Sequence, residues 1–311
     1  MLLTLLATGL LAFSASPAVH AGNPAVTAPA VTRVEIAPAT DNKVVIRSRD
    51  ARQQLIATAV MADGTLQDVT RKATWTISSP ALLSIDATGM AIPAGDGDIT
   101  VTAAFEGQAA TVNVSISGFA TPLPINFRNQ VVPMFTKLGC NGGGCHGKSG
   151  GQNGFRLSLL GFYPEDDYEF LRKESRGRRI FPGMPQESLL LKKAVGQSPH
   201  GGGKRMEAGS FEYNLLCQWI EQGMPYGAET DPSVASIQCL PETRTLQRNS
   251  QQQIAVIATY TDGTTEDVTR MALFEPNEAE MAESSVTGLV STLDLTGEVA
   301  IMARYQGQVS T

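Results

Sequence analysis

Two of the chain's four cysteines and one of its three histidines fall in one short run, Gly139 to Gly151, GCNGGGCHGKSGG. Cys140 and Cys145 bracket four small residues, and His146 follows the second cysteine directly. Two thiols with an imidazole straight after the second form the donor set of a covalently attached c-type haem. The thiols reach the two vinyl groups at one porphyrin edge, and the imidazole reaches the iron from one face. The usual attachment run has two residues between its cysteines. Here Asn141-Gly142-Gly143-Gly144 makes a looser loop, with the backbone freedom that the wider spacing needs. Other chemistry suits the same residues. A Cys140–Cys145 disulfide is feasible in an oxidising compartment. Zinc needs two further ligands, and Cys217, inside an apolar helical pattern, and Cys239, on a β pattern, are poor candidates. A Cys217–Cys239 disulfide stays open.

The elements that must hold these groups belong to a globular chain. Of its 311 residues, 42% are hydrophobic and 17% charged, enough for two or three domains with cores of their own. A net charge of −6 and the lack of a polybasic stripe argue against nucleic acid or an anionic membrane as partner. Residues 1–21, MLLTLLATGLLAFSASPAVHA, read as an export leader ending in small residues. The apolar run from Met1 to Phe13 is shorter than the roughly 20 residues of a membrane span. The expectation is a protein exported to the periplasm or cell surface, with no membrane span once the leader is removed. His20 leaves with that leader, so His146 and His200 become the only histidines of the mature chain.

Two distant stretches repeat each other. LIATAVMADGTLQDVTRKATW, from Leu55, and IAVIATYTDGTTEDVTRMALF, from Ile254, share the kernel DGT-x-x-DVTR. Alternating apolar positions such as Val112, Val114 and Ile116, with Asp63-Gly64 and Asp262-Gly263 between runs, predict hairpins in an all-β sandwich. Residues 31–118 resemble the bacterial immunoglobulin-like domain of group 2, carried by ADGTLQDVTRKATWTISSPALLSID. Residues 233–311 read as a second copy that lacks the counterpart of Thr111–Ser117, as expected of a chain continuing in a longer parent. The resemblance implies spacers or surface-binding modules.

Residues 123–227 have a different pattern, with helices expected over Glu165–Ser175, Ser188–Val195 and Phe211–Gln222 and glycine-rich loops between them. Such a thin core suits a small domain wrapped around a cofactor. GCNGGGCHGK, GFRLSLLGF, RGRRIFP, ESLLLKKA, PHGGGKR and QWIEQGMP together resemble the cytochrome-c-like domain of large exported proteins of planctomycete type. That resemblance implies immunoglobulin-like sandwiches flanking a mainly α cytochrome-c-like domain that holds haem c, an iron porphyrin. Cys140 and Cys145 would carry the thioethers and His146 would be the proximal iron ligand. His200 stands in the loop where related domains place a distal methionine, and Met206 is the alternative distal ligand. A second imidazole in place of a thioether lowers the potential. Arg178 and Arg179, in a basic cluster, are candidate partners for the haem propionates.

No acid–base pair, nucleophile elbow or phosphate loop marks an enzyme. The expected role is electron transfer to an unnamed redox partner protein, as a relay to an enzymatic region beyond residue 311. Polysaccharide or cell-surface contact falls to the β modules. The alternative is a haem-free surface protein of structural or adhesive role with a Cys140–Cys145 disulfide loop.

Overall fold

Apolar runs cut short by Pro, Gly and Asp make strands of two to ten residues in the first repeat and three to seven in the second. The computed structural model describes residues 29–121 and 123–311, so the leader expected over residues 1–21 lies outside the described residues. In the first repeat Val31–Ala37, Ile56–Met61 and Leu66–Asp68 form an antiparallel sheet. Lys43–Arg47, Gln108–Ser117, Gly97–Phe105 and Thr74–Ile77 form a second, in which the first two strands run parallel. Gln53–Gln54, Met90–Pro93 and Leu83–Ile85 form a small third. The second repeat has counterparts of all three, from Val234–Leu240, Ala255–Tyr260 and Thr265–Asp267, from Leu273–Pro276, Ile301–Tyr305 and Gln308–Ser310, which lack the parallel fourth strand, and from Gln251–Gln253, Leu289–Thr292 and Ala282–Ser284. Gly64 (φ +84°) and Gly263 (φ +80°) take the left-handed turn position of the predicted hairpins. Asp63 and Asp262 fix those turns by accepting from the N–H and hydroxyl of Thr65 and Thr264.

Between the repeats, a turn of π-helix at Phe127–Val131 runs into α1 (Val132–Lys137), followed by α2 (Pro164–Lys173), α3 (Leu189–Ala194) and α4 (Phe211–Glu221). The Ser210 hydroxyl caps α4 by accepting from the Tyr213 N–H. Leu215, Leu216, Trp219 and Ile220 share its buried face. Trp219 lies 5.4 Å from the Phe127 ring, and Tyr168 of α2 lies 5.1 Å from it, so an aromatic cluster ties the helices together. This core continues without a break into the second β unit through Cys239, Val256 and Tyr305, while the first β unit has cores of its own.

The expected layout of sandwiches around a mainly α domain does not form. Strands make up 34% of the structure and helices 16%. Each β unit consists of small sheets of three or four strands. In the middle segment the α-helices span 6 to 11 residues. The physical reason is composition: glycines crowd residues 139–154, where each costs about 1 kcal/mol of helix relative to alanine, and the backbone there turns instead. In the β units, strands of two to four residues are stopped by turns before they can extend into broad sheets.

The two β units grip each other through the repeated kernel. Asp68 Oδ2 accepts from the Gln253 N–H at 2.5 Å and from the Gln252 amide at 3.3 Å. Asp267 Oδ2 accepts from the Gln54 N–H at 2.6 Å and from the Gln53 amide at 3.0 Å. Each aspartate also accepts from the threonine N–H two residues on, Thr70 or Thr269. The pairing is reciprocal, each DVTR aspartate closing on the opposite glutamine strand. Burial raises the Asp267 carboxyl to about 7, opposed by its bonds to Thr269 and Gln54. A raised carboxyl favours the fold most below the ordinary carboxylate value, and stability falls as pH climbs from there to about 7. Chemical denaturation should show D68A and D267A each losing about 1–3 kcal/mol, the cost of orphaned buried donors. D267N should flatten the pH slope of stability in that window.

Candidate functional site

The glycine-rich loop begins where α1 ends. The Cys140 N–H donates to Phe135 O at 2.8 Å, continuing the helix by one turn. The loop then closes on itself: the His146 N–H donates to Cys140 O at 2.9 Å, and the Cys145 and Gly147 N–H groups both reach Gly142 O. This ring of bonds brings the thiols and the imidazole together across the four intervening residues. Asn141, 1% exposed, anchors the loop by donating Nδ2 to Thr136 Oγ1. Its buried Oδ1 has no partner among the described residues. A Cβ on Gly147 would sit 2.0 Å from Asn141 O, so only glycine fits after the histidine.

His146 is half-buried, its ring 4.3 Å from that of Phe155 and its Nδ1 2.9 Å from Phe155 O. Burial is the largest influence on the imidazole and pushes its pKa down, favouring the neutral form. His200 comes from the loop after α3, and its Nδ1 lies 2.8 Å from Gly203 O. A carbonyl can only accept, so each Nδ1 is the donor in its bond. The two rings are 6.2 Å apart between centroids, with planes 8° from parallel. Residues 54 positions apart in sequence are thus set as a pair.

Cys140 and Cys145 are free thiols, as are Cys217 and Cys239. Burial pushes the Cys140 thiol up to about 11, with the Arg205 cation opposing it. Arg205 Nη2 lies 3.4 Å from Cys145 Sγ. Met206, the alternative ligand, is buried in the hydrophobic core, with its backbone tied to Ala194 O.

The two candidate arginines separate. Arg178 is exposed. Arg179 is buried, donates to Phe170 O and Gly154 O, and packs 4.7 Å over the Phe155 ring. It therefore braces the residue whose carbonyl orients His146. Sequence reasoning missed Phe155, Arg179 in this role, and Arg205. The run GFRLSLLGF held the first of them, but no spacing rule connects Phe155 to His146 before the loop is folded.

Among the described residues, no group of three or more His, Cys, Asp or Glu side chains could hold a bare metal ion. No family model matches the chain. A curated relative, Ice-binding protein 1 of Shewanella frigidimarina (strain NCIMB 400), is 20% identical over 292 residues, covering 90% of this chain and 28% of that protein. Two structures of the surface layer protein SbsC, one of domains 1–6, cover 91% of this chain and 27% of theirs, at 10% identity and a TM-score of 0.23. The chain thus spans little more than a quarter of the proteins it matches. The resemblance to a cytochrome-c-like domain is corrected by these findings. The predominantly β fold, with 34% strand against 16% helix, overturns it, and with it the cytochrome classification and the haem and iron descriptors taken from that family.

Proposed function

We propose, on the geometry of the loop and not on any family, that the chain is an exported haem-binding protein with an electron-transfer role. The observation that carries this reading is the pairing of His146 with His200. Two metal–nitrogen bonds of about 2.0 Å, with the half-widths of two imidazoles, separate ring centres by about 6 Å. The observed separation is 6.2 Å, and both Nδ1 atoms are engaged by carbonyls, which leaves each Nε2 as the nitrogen that would meet a metal. Two ligands are too few for a bare ion, but enough for an iron whose other four ligands come from a porphyrin.

The chain's own residues divide the work. Cys140 and Cys145 would hold the porphyrin edge as thioethers, and His146 and His200 would ligate its iron. Phe155 O and Gly203 O orient the imidazoles. A haem held there would supply a one-electron couple, and two imidazole ligands would set it at low potential. The β units act as spacers. Among the described residues no helix is long and apolar enough to cross a membrane, and export is inferred from the leader-like residues 1–21.

A second reading makes the β units the working part of a haem-free surface protein. Thr74, Thr76, Thr100, Thr111 and Asn113 stand exposed on the outer face of the four-stranded sheet, and the curated relative is named for binding ice.

Made in a host with haem-attachment machinery, the protein should be red and heavier by one haem. A colourless product of unmodified mass overturns the haem reading in favour of the second. H200A should keep the covalent mass but lose the low-spin optical spectrum, whereas M206L should keep both. G147A should lower the attached fraction at least tenfold, because a Cβ there cannot coexist with the closed loop.

A further inference from the structure

A cavity of about 110 Å³ lies where the three parts of the chain meet. Asp50 and Arg52 of the first β unit, Phe211 and Gln218 of α4, and Glu266 and Arg270 of the second β unit line it. That volume has room for several waters, and so for a molecule of a few non-hydrogen atoms. Its lining carries charge of both signs. Among the described residues seven ion pairs form, and none includes Asp50, Arg52, Glu266, Asp267 or Arg270. Charges gathered on one partly buried cavity and left unpaired call for a partner.

The repeat shows which charges depart from its own pattern. Arg71 closes the first kernel by donating to Gln253 Oε1 at 2.9 Å. Arg270 holds the same position in the second kernel, and Gln54 is the matching glutamine. That bond does not form, and the Arg270 guanidinium has no hydrogen bond or ion pair among the described residues. Arg52 stands where the second unit has Gln251, with its guanidinium 5.8 Å from the centre of the Phe211 ring. Burial is the largest influence on Arg52 and lowers its pKa; Asp50 opposes this, and the like charge of Arg270 adds to it. Two cations from different β units thus share one cavity with no anion on either. The nearby Lys137 is already paired, with Glu212 at 3.1 Å. The acids are only half used. Asp50 Oδ2 accepts from the Gln218 amide at 3.2 Å, and Glu266 Oε2 accepts from the Tyr260 hydroxyl at 2.8 Å. Asp50 Oδ1 and Glu266 Oε1 have no donor among the described residues. Burial raises the Glu266 carboxyl, with only that hydroxyl opposing it. Asp267, by contrast, spends both oxygens on Gln54 and Thr269.

We propose that this cavity binds a small zwitterion, an α-amino acid of the size of glycine or alanine. Its carboxylate takes the guanidinium groups of Arg52 and Arg270, and its ammonium takes the open oxygens of Asp50 and Glu266. A short side chain meets Ile125, Leu215 and Met271, the buried apolar part of the lining. A simple anion would satisfy the arginines and be repelled by the acids, and a simple cation would meet the reverse. A molecule carrying both charges on neighbouring atoms satisfies both sets at once. The site is independent of the histidine loops and of any haem.

Calorimetry on the full chain with glycine and with L-alanine should give a saturable heat. Acetate and methylammonium, each carrying one of the two charges, should bind roughly tenfold more weakly or not at all. R270Q removes a side chain that holds nothing in the free protein. It should weaken alanine binding roughly tenfold and leave the denaturation midpoint unchanged, so that lost binding is not lost fold. R52Q, on the opposite wall, should weaken binding likewise. E266Q keeps an acceptor for Tyr260 and should lose a similar factor. No saturable heat with either amino acid overturns the proposal. So does acetate binding as tightly as alanine with E266Q unaffected, which makes the cavity a plain anion site. Alanine binding that is unchanged in R270Q and R52Q places the amino acid elsewhere and overturns it too.

Discussion

Two aspartates from one repeated kernel carry the architecture. Asp68 and Asp267 each leave their own β unit to accept backbone and amide N–H groups of the other. Buried donors of this kind cost more when orphaned than they contribute when paired, so the contact is demanding in both directions. The middle segment is strung between the two units so joined. It adds contacts to both: Gln218 of α4 donates to Asp50 of the first, and Tyr305 of the second donates to Asn129 O. Its hydrophobic core is continuous with the second unit. A segment with helices this short has little stability of its own, and it borrows rigidity from the β frame.

On that frame the chemistry sits in loops. The cysteine loop is fixed by internal backbone bonds and by buried Asn141, and the His200 loop by a local turn and Lys193. Each imidazole is oriented by one carbonyl, and that carbonyl's neighbourhood is braced in turn, as Arg179 braces Phe155. Layered support of this sort is how a site on loops reaches the precision that a helix or strand provides directly.

Local features were legible in the sequence. Ser210, the Leu215–Ile220 face and Gly223 marked α4 because capping and periodicity act over a few residues. The Asp-Gly hairpins were legible for the same reason. The repeat kernel was visible too, but nothing in it singled out Asp68 and Asp267; their grip on Gln53–Gln54 and Gln252–Gln253 spans some 200 positions and leaves no local trace. The overall class was misjudged because helical patterns of six to eleven residues were weighted above the turns that separate them. The histidine pair was anticipated by scarcity and by the place of His200 in the loop that the resemblance gives to a distal ligand. What orients each ring, a backbone carbonyl supplied by Phe155 or Gly203, carries no side-chain signature at all.

The reciprocal aspartates have a topological consequence. Because they lie on either side of residues 123–227 in the chain, they close a ring around that segment without any covalent bond. A closed ring restricts the denatured ensemble of whatever it encloses, and the restriction grows only slowly with the length of the loop. The middle segment is therefore anchored at both ends against unravelling while the grip holds. Under tension along the chain, load would pass from one β unit to the other through the aspartates and bypass the histidine loops. Tension on the chain would in this way leave the spacing of the paired imidazoles undisturbed.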